Sequence, residues 1–260
     1  MPSLVDKETE NNFNKIVHKS IGSIEKLQIQ ANEFRENAEE SYSIRDQLNT
    51  EEQCLYDEMK KVKAKQQRWS DGLVFYSSLE TKNNKCPMNA IFELFILSGI
   101  LCFLGLAGKQ PIRGAIETSW GVELHENELY GPVVANSYEL ESNIAQYPRI
   151  VVGQRTIDYL NAHIAETIEL DDKLNLYNQN LAKHCINIVA IDTDGHYIIN
   201  YLGKLFTDSV THSSSKELYK LADSYICEQI ELHRNSKNSK LAIRYAWLKG
   251  YFHQNAAIHT

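Results

Sequence analysis

The spacing of hydrophobic residues changes several times along the chain and divides it into predicted helices and strands. Apolar residues recur at helical intervals over 55–62, and a capping box that begins at Thr50 predicts where this helix starts. A turn at Ser70-Asp71-Gly72, followed by the apolar run 73–76, then predicts a hairpin. A second hairpin is predicted at 186–202, where the sequence Asp-Thr-Asp-Gly supplies the turn.

The longest apolar run, IFELFILSGILCFLGLAG at 91–108, predicts a helix that is buried beneath a sheet. It is only just long enough to cross a membrane, contains Glu93 and has no flanking basic cluster, so a membrane span is the less favoured interpretation. Residues 132–146 predict a further helix. Pro148 ends that helix just before the strand RIVVG at 149–153.

The order of these elements is helix, hairpin, helix, strand, helix, strand, hairpin and helices, which is typical of an α+β fold with one mixed sheet. We expect helices 87–107 and 132–146 to lie on one face of that sheet. The predicted strands come from 68–79, 110–118, 149–153 and 186–202. The chain then divides into an N-terminal helical segment 1–66, an α+β core 67–205 and a C-terminal helical segment 206–260, with helices at 216–234 and 240–253.

Composition narrows the class of protein. The chain has 260 residues, is 43% hydrophobic and carries a net charge of −7. This acidic balance argues against nucleic acid as the main partner. Five scattered cysteines without a C-x-x-C pair indicate free thiols in a reducing compartment and no zinc site. The polar start of the sequence does not have the pattern of a signal peptide, so we expect a cytoplasmic protein.

The central stretch 112–153, which contains IRGAIETSWG and LYGPVVANSYELESNIAQYPRIVVG, resembles the catalytic domain of the class III nucleotide cyclases. It is most similar to a prokaryotic branch that includes cyclase-like proteins of antiphage pyrimidine-cyclase systems. The resemblance covers about 65–155 and implies a ferredoxin-like, cyclase-type sheet in a two-fold dimer. The matching residues are Arg113, Gly114, Ile116, Gly121, Tyr130, Gly131, Val134, Leu140, Glu141, Ala145 and 150–152.

The resemblance also implies where catalytic groups belong. Cyclases activate the ribose 3′-oxygen with two metal ions, Mg²⁺ or Mn²⁺, which two aspartates hold. One aspartate matches Asp71, whereas the strand that carries the other has no counterpart in 1–40. The ribose-orienting Asn and the charge-stabilising Arg fall at Ala135 and Glu139, neither of which can take that role.

Three residues are candidates for contacting a nucleoside triphosphate, and each has a simpler interpretation. Gln67 and Glu128 match the base-reading pair, yet polar residues are ordinary at a strand end and in a loop. Arg113 matches the family's strand but is equally suited to an ion pair with Glu117 or Glu141. Asp71 itself is a residue that tight turns prefer.

Three hypotheses on function follow. The first is a cyclase-homology-like module that has lost most catalytic positions and acts in nucleotide binding or protein association, as a homodimer or with a partner protein. The alternative is an active nucleotide cyclase, with a pyrimidine nucleotide as candidate substrate and a role in antiviral defence, that has non-standard ligands or a site completed by a partner. The third is an unrelated α+β interaction protein.

Overall fold

A computed structural model describes residues 43–69, 72–209 and 215–259. The predicted metal ligand Asp71 lies outside the described residues. The helices are α1 (Thr50–Lys60), α2 (Met88–Ala107), α3 (Pro132–Glu139), α4 (Gln154–Ala165), α5 (Lys173–Asn187), α6 (Lys204–Ser209), α7 (Ser215–Asn235) and α8 (Ser239–His259). The strands are β1 (Lys65–Trp69), β2 (Gly72–Tyr76), β3 (Gly114–Ile116), β4 (Val122–His125), β5 (Glu128–Tyr130), β6 (Ile150–Val152), β7 (Val189–Ile191) and β8 (Tyr197–Ile199).

Helix α1 begins one residue earlier than the capping-box prediction. The side chain of Asn49 accepts from the backbone N–H of Glu52, and the Glu52 carboxylate accepts from the backbone N–H of Asn49. The capping pair is therefore Asn49 and Glu52, and the prediction of Thr50 with Gln53 was wrong. Both pairs have the same spacing, and asparagine is at least as good an N-cap as threonine, so the two registers compete closely.

Helix α2 is the centre of the core, as its composition predicts. Among the described residues it is the one helix long and apolar enough to cross a membrane, but 83% of its most apolar window is buried inside the protein. Glycines let neighbouring elements approach it closely: a Cβ on Gly99 would lie 2.4 Å from the ring of Phe206. The helix is therefore surrounded by protein, with α5 and α7 packed along it.

The fold is α+β with a mixed sheet, which confirms the predicted class. The four-stranded sheet has the order β3-β6-β8-β7, in which β3 and β6 are parallel and the other pairs are antiparallel. Two hairpins, β1–β2 and β4–β5, form separate two-stranded ribbons. The prediction that 68–79 contributes to the main sheet was therefore wrong, because β1 and β2 pair only with each other among the described strands.

The two central helices lie on opposite faces of the sheet, not on one face as expected. Along β6, Ile150 and Val152 belong to the large core that contains α2, whereas Val151 belongs to a smaller cluster with Leu140 and Ile144. Successive side chains of a strand point to opposite faces. The fully buried β6 is thus covered by α2 on one side and by the continuation of α3 on the other.

The segment between β6 and β7 is helical, which the hydrophobic pattern did not predict. Helices α4 and α5 pack on each other, and α5 also contacts α2. Helix α4 follows β6 after the single residue Gly153. This short connection places the start of α4 directly beside the end of β3, the parallel neighbour of β6.

Candidate functional site

A cleft opens where the parallel strands β3 and β6 end. It has a volume of about 330 Å³ and is lined by Glu117, Asn136, Glu139, Leu140, Asn143, Ile144 and Arg155. We call it the α3–α4 cleft. Ligands of α/β sheets commonly bind outside the carboxyl ends of parallel strands, since the connecting loops and helix starts meet there. The position of the cleft therefore agrees with a general rule for binding sites.

Helix α3 and its continuation form one wall of the cleft. Gly131, with φ of 115°, adopts a conformation that glycine tolerates best, and Pro132 occupies the first helical position. The helix continues as a π-helical turn, Leu140–Ile144, in which the N–H of Ala145 donates to the carbonyl of Leu140 at 2.9 Å. Such turns are frequent at functional sites.

Asn136 presents an unused hydrogen-bond donor inside this wall. Its Nδ2 atom is buried and has no hydrogen-bond partner among the described residues. A buried donor without a partner costs about 1–3 kcal/mol, so native proteins rarely keep one without a reason. Asn136 lines the cleft, so a rotation of its side chain would present this amide to a ligand there.

Glu117 forms the floor at the end of β3. Its Oε1 accepts from the backbone N–H of Thr118 at 2.9 Å and from the Thr156 hydroxyl at 3.3 Å. A Cβ on Gly153 would lie 2.3 Å from the other carboxylate oxygen, Oε2. Glycine at 153 therefore lets the carboxylate sit at the start of α4, where the helix dipole favours negative charge.

Arg155 brings positive charge to the same floor. Its Nη1 donates to the hydroxyl of Ser119 at 3.2 Å, which leaves the other guanidinium N–H groups without a described partner. Together with Glu117 and Glu139 the cleft contains two carboxylates and one guanidinium. It combines donors and acceptors of both signs beside the apolar side chains of Leu140 and Ile144.

A second surface feature lies in and beside the β4–β5 hairpin. Trp120, Val122, Leu124 and Tyr130 are 68%, 37%, 61% and 46% exposed, and we call them the hairpin stripe. Val122 and Tyr130 are directly paired across the ribbon, so their side chains share one face. Adjacent exposed aromatic and aliphatic side chains of this kind typically mark an interaction surface.

The inner face of the same hairpin is fixed against β1 and β2. Glu123 pairs with Lys65 at 2.6 Å and accepts from the hydroxyl of Tyr76 at 2.9 Å and the backbone N–H of Asn127 at 2.9 Å. The Lys65 ammonium, that N–H and the Tyr76 hydroxyl lower the pKa of Glu123 to about 2. Burial and this carboxylate raise the pKa of Tyr76 to about 12. These contacts attach the β4–β5 hairpin to the β1–β2 hairpin.

The residues predicted to contact a nucleotide do not line the α3–α4 cleft. The side-chain oxygen of Gln67 accepts from the backbone N–H of Leu129 at 3.2 Å, which brings Gln67 beside the strand that carries Glu128. Glu128 accepts from the hydroxyl of Tyr130 at 3.0 Å. Arg113 pairs with Glu141 at 2.6 Å, which was its simpler interpretation. The described residues contain no group of three His, Cys, Asp or Glu side chains that could hold a metal ion.

The cleft residues were not singled out by sequence reasoning for binding. Glu139 was considered only as a replacement for a catalytic arginine. The position that matches the family's ribose-orienting residue is Ala135, which directly precedes Asn136. The available signal was the helical spacing of positions 136, 140 and 143, which places them along one face.

Comparison with known proteins gives no relative. No protein-family model, no curated protein and no solved structure matches this chain.

Proposed function

We propose that this chain is a cyclase-homology-like module that does not cyclise nucleotides and that acts by pairing with a second copy of itself in the cytoplasm. The observation that carries this proposal is the hairpin stripe: four apolar side chains are exposed in and beside one ribbon, and two of them, Val122 and Tyr130, pair directly across it. The resemblance to class III cyclases, which implies a two-fold dimer, supports a second copy as the occupant. An isologous dimer would bury the stripe of each copy against the same region of the other.

The lack of cyclisation is supported by the residues at the matching positions. Ala135 cannot orient a ribose, and Glu139 adds negative charge where the family has an arginine. Arg113, the remaining basic candidate, is engaged by Glu141. We therefore expect no cyclic product from any common ribonucleoside triphosphate with Mg²⁺ or Mn²⁺. A cyclic product that disappears in Asp71→Ala would replace this proposal with the active-cyclase alternative.

Pairing is tested by sedimentation equilibrium over a range of micromolar concentrations. We expect a dimer of the wild-type chain that dissociates in a Trp120→Ser, Leu124→Ser double variant. Truncating a central aromatic anchor of an interface typically costs about 2 kcal/mol or more, which is roughly a thirtyfold weaker dimer. Both side chains are more than half exposed, so the substitutions leave the core intact.

Leu170→Ser is the matched control, because Leu170 is 89% exposed but lies in the connection between α4 and α5. This variant should dimerise like the wild type. A monomeric wild-type chain at these concentrations, or a double variant that dimerises as tightly as the control, would contradict the proposal.

A further inference from the structure

The α3–α4 cleft is separate from the hairpin stripe and is not explained by pairing. It contains an acidic and a basic side chain on its floor, an unpartnered amide in its wall and an apolar strip. A surface built only for solvent would not require Asn136 to bury an unsatisfied Nδ2 atom. The composition of the cleft therefore specifies which kind of ligand it can accept.

The charges of the cleft exclude a polyphosphate as a good ligand. Glu117 and Glu139 contribute two negative charges and Arg155 contributes one positive charge, so the lining carries a net charge of −1. A nucleoside triphosphate would bring several further negative charges to this lining, and like charges at close range are repulsive. A ligand with no net charge but with both signs present fits the lining better.

The positive half of the cleft matches a carboxylate. Arg155 lies in the first turn of α4 and has guanidinium N–H groups that no described residue uses beyond its bond to Ser119. Together with the Nδ2 of Asn136, which reaches the cleft when its side chain rotates, the free guanidinium N–H groups provide the multiple hydrogen bonding that carboxylates prefer.

The negative half matches an ammonium group. Oε2 of Glu117 makes no hydrogen bond among the described residues, whereas Oε1 is engaged by Thr118 and Thr156. Glu139 likewise has no ion pair within the described part of the chain, and its side chain lines the same cleft. Leu140 and Ile144 offer an apolar surface between the charged groups. The volume of about 330 Å³ suits a small metabolite.

We propose that the α3–α4 cleft binds a zwitterionic α-amino acid with an apolar side chain. Its carboxylate pairs with Arg155 and Asn136, its ammonium group with Glu117 and Glu139, and its side chain packs on Leu140 and Ile144. This site is independent of the proposed pairing, because none of its lining residues belongs to the hairpin stripe.

The test combines ligand analogues with variants. The twenty L-amino acids are screened by thermal shift at millimolar concentration, and the best ligand, with leucine as the expected example, is measured by titration calorimetry. We expect the matching amine without its carboxylate to bind about tenfold more weakly or worse, and the N-acetylated amino acid likewise. ATP and the free nucleosides should not compete.

Two variants test which charged residue of the cleft pairs with the ligand's carboxylate and which with its ammonium group. Arg155→Met should lose affinity for the amino acid but not change the weak binding of the amine, whereas Glu139→Gln should weaken both. Arg234→Met is the control, since Arg234 is an exposed arginine paired with Glu231 on α7. No amino acid shifting the melting temperature of the wild type, or an equal loss in Arg155→Met for amino acid and amine, would overturn the proposal.

Discussion

Arg149 is the residue whose replacement the structure allows us to predict most fully. Its side chain is 2% exposed and forms ion pairs with Asp192 and, at 2.6 Å, with Asp194, both in the turn between β7 and β8. A guanidinium N–H also donates to the carbonyl of Ile144 at 2.7 Å. The central guanidinium carbon lies 5.5 Å from the ring centroid of Trp247 on α8. Arg149 thus connects the end of the π-helical turn, the hairpin turn and the last helix.

The cost of Arg149→Met follows from what the substitution leaves behind. Methionine fills much of the volume, so the loss of packing is small. Asp192, however, is 5% exposed and would keep a buried negative charge with only neutral donors: the N–H and hydroxyl of Thr193 and the indole N–H of Trp247. Removing one partner of a buried ion pair costs about 3–5 kcal/mol. We expect a loss of that size in the free energy of unfolding.

Urea denaturation followed by tryptophan fluorescence and by circular dichroism measures this loss. Adding Asp192→Asn to Arg149→Met should recover part of the stability, because the double variant no longer buries an unpaired charge. Asp194→Asn is the comparison, and it should cost less since Asp194 is 40% exposed. A loss below about 1 kcal/mol in Arg149→Met, in the range of an exposed pair, would refute the reasoning.

The dependence of the unfolding free energy on pH below neutrality provides an independent test of the Arg149 contacts. Burial alone would raise the pKa of Asp194, but the hydrogen bonds from Arg149 and the backbone N–H of His196, together with their positive charges, outweigh burial and lower the pKa. A carboxyl whose folded pKa is lowered stabilises the protein above its ordinary pKa, and this contribution is lost as the pH falls through the folded value. Arg149→Met should therefore remove that part of the acid sensitivity.

Three further predictions concern other parts of the fold. The pKa of Glu123 should be about 2 in a carbon-detected NMR titration, so the contribution of this carboxylate to stability is lost as the pH falls below 4.5, its ordinary pKa. Lys65→Met should raise the pKa of Glu123, and an ordinary pKa in the wild type would contradict the described contacts. Gly99→Ala should lower the melting temperature despite alanine's better helix propensity, because its Cβ meets the ring of Phe206, and Phe206→Leu should reduce the difference. An Ellman assay of the native protein should find Cys227 reactive and Cys102 protected, since Cys102 is buried and burial raises its pKa to about 12; equal rates would refute this.

The parts of the fold that the sequence predicted are those with a strong apolar signal. The run that forms α2 is apolar on all sides, which indicates burial on all sides, and the structure surrounds this helix with α5 and α7. Three consecutive β-branched residues in β6 likewise indicate a strand buried on both faces, and all three are buried. In both cases the composition of a single segment determines its environment.

The parts that were missed depend on contacts between segments. Helices α4 and α5 have mixed polar and apolar positions. Gly153 caps α4 without any side-chain hydrogen bond, whereas Asp172 caps α5 by accepting from the backbone N–H of Asn175, a signal that the hydrophobic pattern does not include. The sequence of a helix also does not determine which face of the sheet it covers, since α2 and α3 both carry apolar residues. The β6 strand separates them, and that separation is evident only once its neighbours are known.

The candidate site was missed for a more specific reason, which concerns Asn136. Aligning the helix with the cyclase family directs attention to Ala135 and Glu139, the positions that catalysis uses there. One residue further on, a helix presents a face about 100° away, and in this chain that face lines the cleft through Asn136, Leu140 and Asn143. This helix therefore lacks the family's catalytic groups at positions 135 and 139 and carries an unpaired amide at Asn136. Glu139 lines the same cleft, so the side chains that face it come from both of these faces of the helix.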